Sequence, residues 1–303
     1  MTTPKKAAAP KRTHTSKEVH RGLHLVSPLM HGPDVHALQM ALKTGLAHYK
    51  IDWLPLTVDG KFGPQTVHAA RFYSWAIGLG AAHRKPIQEQ HTVTEATQKL
   101  IRGPEQRSGA EHRREGRRRK QLAKIRKAQT EGPAAAVAGA RACIGITENP
   151  AGSNSGPDRA VTVLGKKVTV GVSAFEREWG LGPCYWCLCF ACFWLKWAGA
   201  QISGNCAYSV AIEESARAHT NGFVEVSYSD RRPGDLTIWK FDGPDSPSDH
   251  GELYIGNEED IGGNTSSEGG SQSNGGGVFP KTLGSATRPL SELSMVVRPL
   301  YPA

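Results

Sequence analysis

The chain has 303 residues, enough for two modest domains that each bury a core of their own. Hydrophobic residues make up 38%, and no apolar run reaches the length of a membrane-spanning helix. With 37 Lys and Arg against 28 Asp and Glu, the formal net charge of +9 favours an anionic partner, whether nucleic acid, wall polymer or membrane surface.

Residues 1–20 form a Lys/Ala/Pro/Thr tail with the composition of a disordered segment. It is basic but lacks the hydrophobic core of a signal peptide, so the expected starting compartment is the cytoplasm. From Gly22 onward the pattern changes. Val35, Leu38 and Leu42 fall on one helical stripe, Val58-Asp59-Gly60-Lys61-Phe62-Gly63-Pro64 is a turn-rich loop, and Gln65–Phe72 resumes helical spacing. A small all-α module over 21–101 follows. Val35, Leu38, Gln39 and Leu42, then Val58, Asp59, Gly60, Phe62, Gly63, Pro64 and Thr66, resemble the peptidoglycan-binding domain of type 1, a three-helix wall-binding module. The likeness covers about a fifth of the chain. It departs from the family at Tyr73-Ser74 and in the long Thr44–Leu56 connection. Asp59, Gly60, Phe62 and Gly63 also have a plainer reading, as residues that only shape the turn.

Residues 102–127 hold eleven Lys or Arg against three Glu. Such a run reads as a solvated helix or linker, here over 102–133, with adhesion to anionic wall polymers as its functional reading. Nucleic acid is not expected, because no aromatic residues are interleaved and no nucleic-acid-binding fold accompanies the run. Gly132-Pro133 reads as a boundary, with a second domain over 134–303.

That second domain begins with a helix over Ala134–Ile144 and a turn-rich loop over Gly145–Pro157. Next comes the apolar run Cys184-Tyr185-Trp186-Cys187-Leu188-Cys189-Phe190-Ala191-Cys192-Phe193-Trp194, which closes at Gly199. Tyr208–His219 reads as a further helix. Leu236–Trp239, Gly251–Ile255 and Met295–Leu300 read as short strands, with a long Gly/Ser/Asn-rich loop over Gly262–Gly277 between the last two. Helices first and a small antiparallel sheet afterwards is an α+β arrangement.

All six cysteines lie between Cys143 and Cys206. Without a signal peptide such crowding speaks against a disulfide framework. Paired C-x-x-C units raise a metal cluster, but the two units are one residue apart and bulky apolar residues fill every gap. Cys187 stands where the buried helix begins, and the free N–H groups of a first turn favour its thiolate. A thiol nucleophile needs a base, and the base needs a third group to fix its ring. Past Cys187 there are two histidines. His219 sits at a helix end, whereas His250 stands at a strand entry, which is the more rigid mount. Downstream, Asn264 and Asp260 are available as the third group. Asn264 completes the order Cys, His, Asn of papain-like sites.

These residues resemble a CHAP domain (cysteine, histidine-dependent amidohydrolase/peptidase), of the NlpC/P60-like, papain-like class found in bacteriophage endolysins. Trp186, Cys187 and Phe190 match its Trp-Cys-x-x-Phe. Pro233, Gly234, Asp235 and Leu236 match its strand entry, Asp249, His250 and Gly251 its histidine strand, and Gly263-Asn264-Thr265 its Asn segment. Where many members carry a Glu two residues before the Asn, this chain has Gly262. The resemblance implies acyl transfer by Cys187, with His250 as base, Asn264 as orienter and the Cys187 N–H helping to hold the oxyanion. It implies a monomeric peptidoglycan amidase or endopeptidase that passes from the host cytoplasm to the wall through a holin-type lesion. Trp186, Glu148 and Asn154 are candidates to line the substrate cleft. Glu148 and Asn154 also suggest a calcium loop, although one carboxylate is a poor ligand set. Otherwise no cofactor is implied. The competing reading is a non-catalytic wall- or polyanion-binding protein whose cysteines hold a metal.

Overall fold

The computed structural model describes residues 21–26, 29–103, 106–243, 245–267 and 270–301; the tail over 1–20 lies outside them. The described residues are mixed α and β, with eight α-helices and a six-stranded antiparallel sheet that does not close into a barrel.

The N-terminal third gathers around one apolar cluster. A two-residue strand β1 (Leu23–His24) pairs with β2 (Thr92–Val93), and between them run α1 (Pro33–His48), α2 (Pro64–Ala76) and α3 (Ala81–Gln90), with α4 (Glu95–Arg102) following. The expected stripe is the buried face of α1, where Val35, Leu38, Leu42 and Leu46 turn inward. The module is therefore not purely helical, and it has four helices rather than three. Its Val-Asp-Gly loop is knitted by the buried Gln39. The Gln39 amide donates to Asp59 Oδ1 (2.9 Å), the Lys61 carbonyl (2.9 Å) and Thr66 Oγ1 (3.0 Å), and its oxygen accepts from Gly60 N–H (2.8 Å). Phe62 is fully buried. In this loop Gln39, Asp59, Gly60, Phe62 and Thr66 shape the turn.

The basic run and the expected Ala134–Ile144 helix are one continuous helix, α5 (Gly109–Arg141). A capping box starts it: Ser108 Oγ accepts from Glu111 N–H, and Glu111 accepts from Ser108 N–H. The helix passes through Gly132-Pro133 without a break. The Ala-rich stretch beyond Pro133 is strongly helix-forming, and Gly132 is a contact residue, since a Cβ there would lie 2.3 Å from the Tyr301 ring. Leu122 and Ile125 belong to the first apolar cluster, whereas Ala136 and Ala140 belong to the second. The run is not a free linker either. Arg114 donates to the Gly78 carbonyl (2.7 Å), Arg118 donates to the Trp75 carbonyl and lies over the Trp75 ring, and Arg126 reaches the Tyr49 carbonyl (3.2 Å).

Beyond α5 a hairpin, β3 (Arg159–Val163) and β4 (Lys166–Val170), leads into the short α6 (Val172–Arg177). The buried helix α7 (Cys187–Trp197) and α8 (Ser209–Ala218) follow. The sheet comprises β5 (Phe223–Val226), β6 (Leu236–Trp239), β7 (His250–Gly256), β8 (Glu259–Thr265), β9 (Gly277–Thr282) and β10 (Leu293–Pro299), in the order β5-β10-β6-β7-β8-β9. The expected loop over Gly262–Gly277 is in part strand, because β8 runs to Thr265. Helix α7 packs on β7 and β8, and Trp186, Phe190, Trp194 and Leu195 are fully buried. Each such side chain contributes about 1.5–3 kcal/mol of burial, so this helix is a main anchor of the second cluster.

Candidate active site

Cys187 is the first residue of α7, with Trp186 as its N-cap. The N–H groups of the first turn have no intrahelical acceptor, which makes this end favourable for an anion. Across from it stands His250, the first residue of β7, fully buried. Burial by itself opposes the Cys187 thiolate. The His250 charge and the N–H groups of Gly251 and Leu188 outweigh it and bring the thiol below its ordinary value. His250 is likewise disfavoured as a cation by burial, yet the Cys187 and Glu252 charges lift it to about 9. The two groups thus favour a thiolate–imidazolium pair. Of the four cysteines in the run, only Cys187 is displaced this way: burial pushes Cys184, Cys189 and Cys192 up.

The ring is held by Glu252. Its Oε1 lies 3.2 Å from His250 Nε2, which leaves Nδ1 without a hydrogen-bond partner and available to the sulfur. Residues i and i+2 of a strand share a face, so β7 itself sets this pair. Glu252 is fully buried and accepts from Arg288 at both oxygens, with Nε to Oε2 at 2.7 Å and a second bond from Nη2 to Oε1. Desolvation would raise the Glu252 carboxyl, but Arg288 and His250 hold it down to about 2. Arg288 is itself fully buried, donating also to Gln272 Oε1 (2.9 Å) and Thr265 Oγ1 (3.2 Å), with the Phe241 ring 4.8 Å away. A row of alternating charges results: thiolate, imidazolium, carboxylate, guanidinium.

Asn264, expected to orient the ring, does not bond it. Its Oδ1 accepts from Gly276 N–H (3.3 Å), and its Nδ2 is buried without a partner. Asp260 accepts from Thr237 Oγ1 (2.6 Å), and burial, reinforced by the nearby Glu252 charge, pushes its carboxyl well above the usual range. The reason for the exchange is in the register. Glu252 pairs with Gly262 across β7 and β8, and a Cβ on Gly262 would lie 2.1 Å from Glu252 Oε1. The bare glycine makes room for a carboxylate supplied by the neighbouring strand.

Trp186 and Glu148 sit together just ahead of α7. Both are buried, and the indole Nε1 donates to Glu148 Oε1 at 2.9 Å, a bond that fixes the start of α7. Asn154, with its amide turned to suit its neighbours, donates to the Cys184 carbonyl (3.2 Å) and Glu148 Oε1 (3.3 Å). These three residues brace the loop ahead of the cysteine. His219 packs edge-on against His68, their rings 5.4 Å apart. Among the described residues, no group of three or more His, Cys, Asp or Glu side chains is placed to hold a metal ion, and no helix is long and apolar enough to cross a membrane.

No protein-family model matches this chain, and no curated protein matches it either. The geometry must carry the functional reading. A thiol at a helix N-terminus, an imidazole that interacts with it and has Nδ1 unpaired, and a carboxylate on Nε2 are the parts required for nucleophilic acyl transfer.

Proposed function

We propose that this protein is a thiol-dependent peptidoglycan hydrolase of the endolysin kind, with a papain-like CHAP catalytic domain and an N-terminal wall-binding module. The observation that carries the proposal is the Cys187–His250–Glu252 grouping, in which Glu252 holds Nε2 of the ring, Nδ1 is left unpaired, and the thiol and the imidazole interact. In the proposed reaction the Cys187 thiolate attacks an amide carbonyl, and a C–S bond forms as the carbonyl oxygen takes up the electron pair. The N–H groups at the start of α7 stabilise that oxyanion. The His250 imidazolium then passes its Nδ1 proton to the departing amine, leaving a thioester on Cys187. The neutral imidazole next takes a proton from water, whose hydroxide attacks the thioester and restores the thiolate–imidazolium pair. Glu252 stays ionised throughout and stabilises the imidazolium; Arg288 keeps it so.

The wall as substrate rests on the resemblance of residues 35–66 to a peptidoglycan-binding module and on the surplus of basic charge. Arg113, Arg117, Lys120, Lys124 and Lys127 remain exposed on α5 and offer a cationic face to anionic wall polymers. The test is product analysis of purified sacculi digested by the full chain. New amino groups without new reducing sugars are expected, and mass spectrometry of the fragments would place the cut at the muramoyl amide or within the peptide. New reducing ends without new amines would overturn the assignment.

A further inference from the structure

Gln272 lies just beyond the row of charges that ends at Arg288. Its side-chain oxygen accepts from two buried cations at once, Arg288 Nη1 (2.9 Å) and Lys281 Nζ (2.9 Å). The amide is held in that orientation, because its Nε2 donates to the Gly270 carbonyl (2.8 Å). Lys281, only 4% exposed, also donates to the Ser266 and Ser267 carbonyls. Arg288 has all five of its N–H donors placed. Nε and Nη2 meet Glu252, Nη2 also meets Thr265 Oγ1, and Nη1 is shared between Gln272 and the Thr287 carbonyl. Among these acceptors Glu252 alone carries a charge.

Two buried cations that meet at one atom would ordinarily meet at a carboxylate, which attracts both. A carboxylate at position 272 would compete with Glu252 for Arg288 and add a second negative charge to the buried site. A neutral amide oxygen instead fixes the guanidinium at the nitrogen that Glu252 does not use, and leaves its charge to that one carboxylate. Ser273 and Asn274 line the cleft beside Cys187, but Gln272 is not among its described lining residues. Its influence on the thiol therefore runs through Arg288, Glu252 and His250. The charged and titratable groups along this path are Cys187 on α7, His250 and Glu252 on β7, Asp260 on β8, Lys281 on β9 and Arg288 in the loop that follows. We propose that Gln272 is a positioning residue of the Cys187–His250 pair: it sets the plane of Arg288 on Glu252 without drawing charge away, and so steadies the imidazolium. Its part in turnover rests on the hydrolase reading, whereas its hold on the ion pair can be read without a substrate.

The reading is the rate at which iodoacetamide alkylates Cys187 in the full-length protein, followed against pH by mass spectrometry of the Cys187 peptide. Two steps bound the thiolate–imidazolium window: one where the thiolate forms, and one near 9 where His250 loses its proton. Gln272→Met removes the acceptor and loosens Arg288, and Glu252 with it. The lower midpoint should rise and the upper one fall, each by about half a pH unit, so the window narrows. Gln272→Glu keeps the acceptor and adds a negative charge, which favours the proton on every neighbour. Both midpoints should then move upward by about half a unit, with the width of the window kept. Profiles that superimpose on the wild type overturn the proposal. So does the same change in both variants, the mark of a loop that has merely been disturbed. If the melting curve shows that Gln272→Met does not fold, the direction of the shift in Gln272→Glu decides alone. Release of amines from peptidoglycan by the same proteins is read separately. Midpoints that move as expected in a protein that never cuts the wall uphold the positioning role and remove the hydrolase reading; turnover with unmoved midpoints does the reverse.

Discussion

At the scale of single residues, Glu252 has two tasks, and they can be separated. It stabilises the His250 imidazolium, and it neutralises the buried Arg288. Glu252→Gln should lower turnover on the order of 10²-fold or more, in the range lost when acid–base catalysis is impaired. It should also destabilise the fold by about 3–5 kcal/mol, the usual cost of leaving one partner of a buried ion pair uncompensated. Adding Arg288→Met should recover part of that stability, measured by denaturant titration, without recovering turnover. Recovery of both would mean that Glu252 is only structural. The pH dependence follows from the same groups. His250 is raised from 6.5 to about 9, so its charge interactions are fully present below about 6.5 and are lost as pH rises through about 9. Glu252 is depressed from 4.5 to about 2, so its contribution is present above about 4.5 and is lost as pH falls toward 2. Activity should therefore fall on the alkaline side near pH 9 as the pair loses its proton. Stability should fall in acid below about pH 4.5, and a pH series of rates and melting curves checks both.

At the scale of the element, the site depends on which strand supplies the carboxylate. Gly262→Ala places a Cβ against Glu252 and should cost about 1–3 kcal/mol, with a loss of turnover as the carboxylate is displaced from the ring. The reciprocal exchange, Gly262→Glu with Glu252→Gly, should retain more activity than Glu252→Gly alone, because it returns a carboxylate to the same space from β8. Much of this region was legible from residue order. The apolar run with Cys187 at its start and His250 at a strand entry both stand where the pattern puts them, since burial and strand mounting are local properties. Glu252 is legible too, two residues along the same strand face, although the order Cys, His, Asn points to Asn264 as the third group. Arg288 was not: it reaches Glu252 from a loop 36 residues away, and nothing in its neighbourhood marks it. The β3–β4 hairpin did carry a signal, in Val161, Val163, Val168 and Val170 alternating about Leu164-Gly165.

At the scale of the whole molecule, α5 is the common spine. Its charge disguised it as a linker because arginines that dock on the Trp75 and Gly78 carbonyls look the same in sequence as arginines in solvent. Leu122 is 2% exposed at the first cluster, so Leu122→Ala should cost about 2–5 kcal/mol, seen as a lowered melting temperature, while the distant Cys187 keeps its reactivity toward a small alkylating agent. The remaining exposed cations of α5 should make binding to sacculi weaken as salt rises, since such interactions are screened over about 8–10 Å at physiological ionic strength. The most direct test of the whole account compares the full chain with its Cys187→Ala variant on purified peptidoglycan, following bound protein and released amines together. The wild type is expected to bind and release new amino groups, and the variant to bind equally and release none. Release by the variant at the wild-type rate would contradict it.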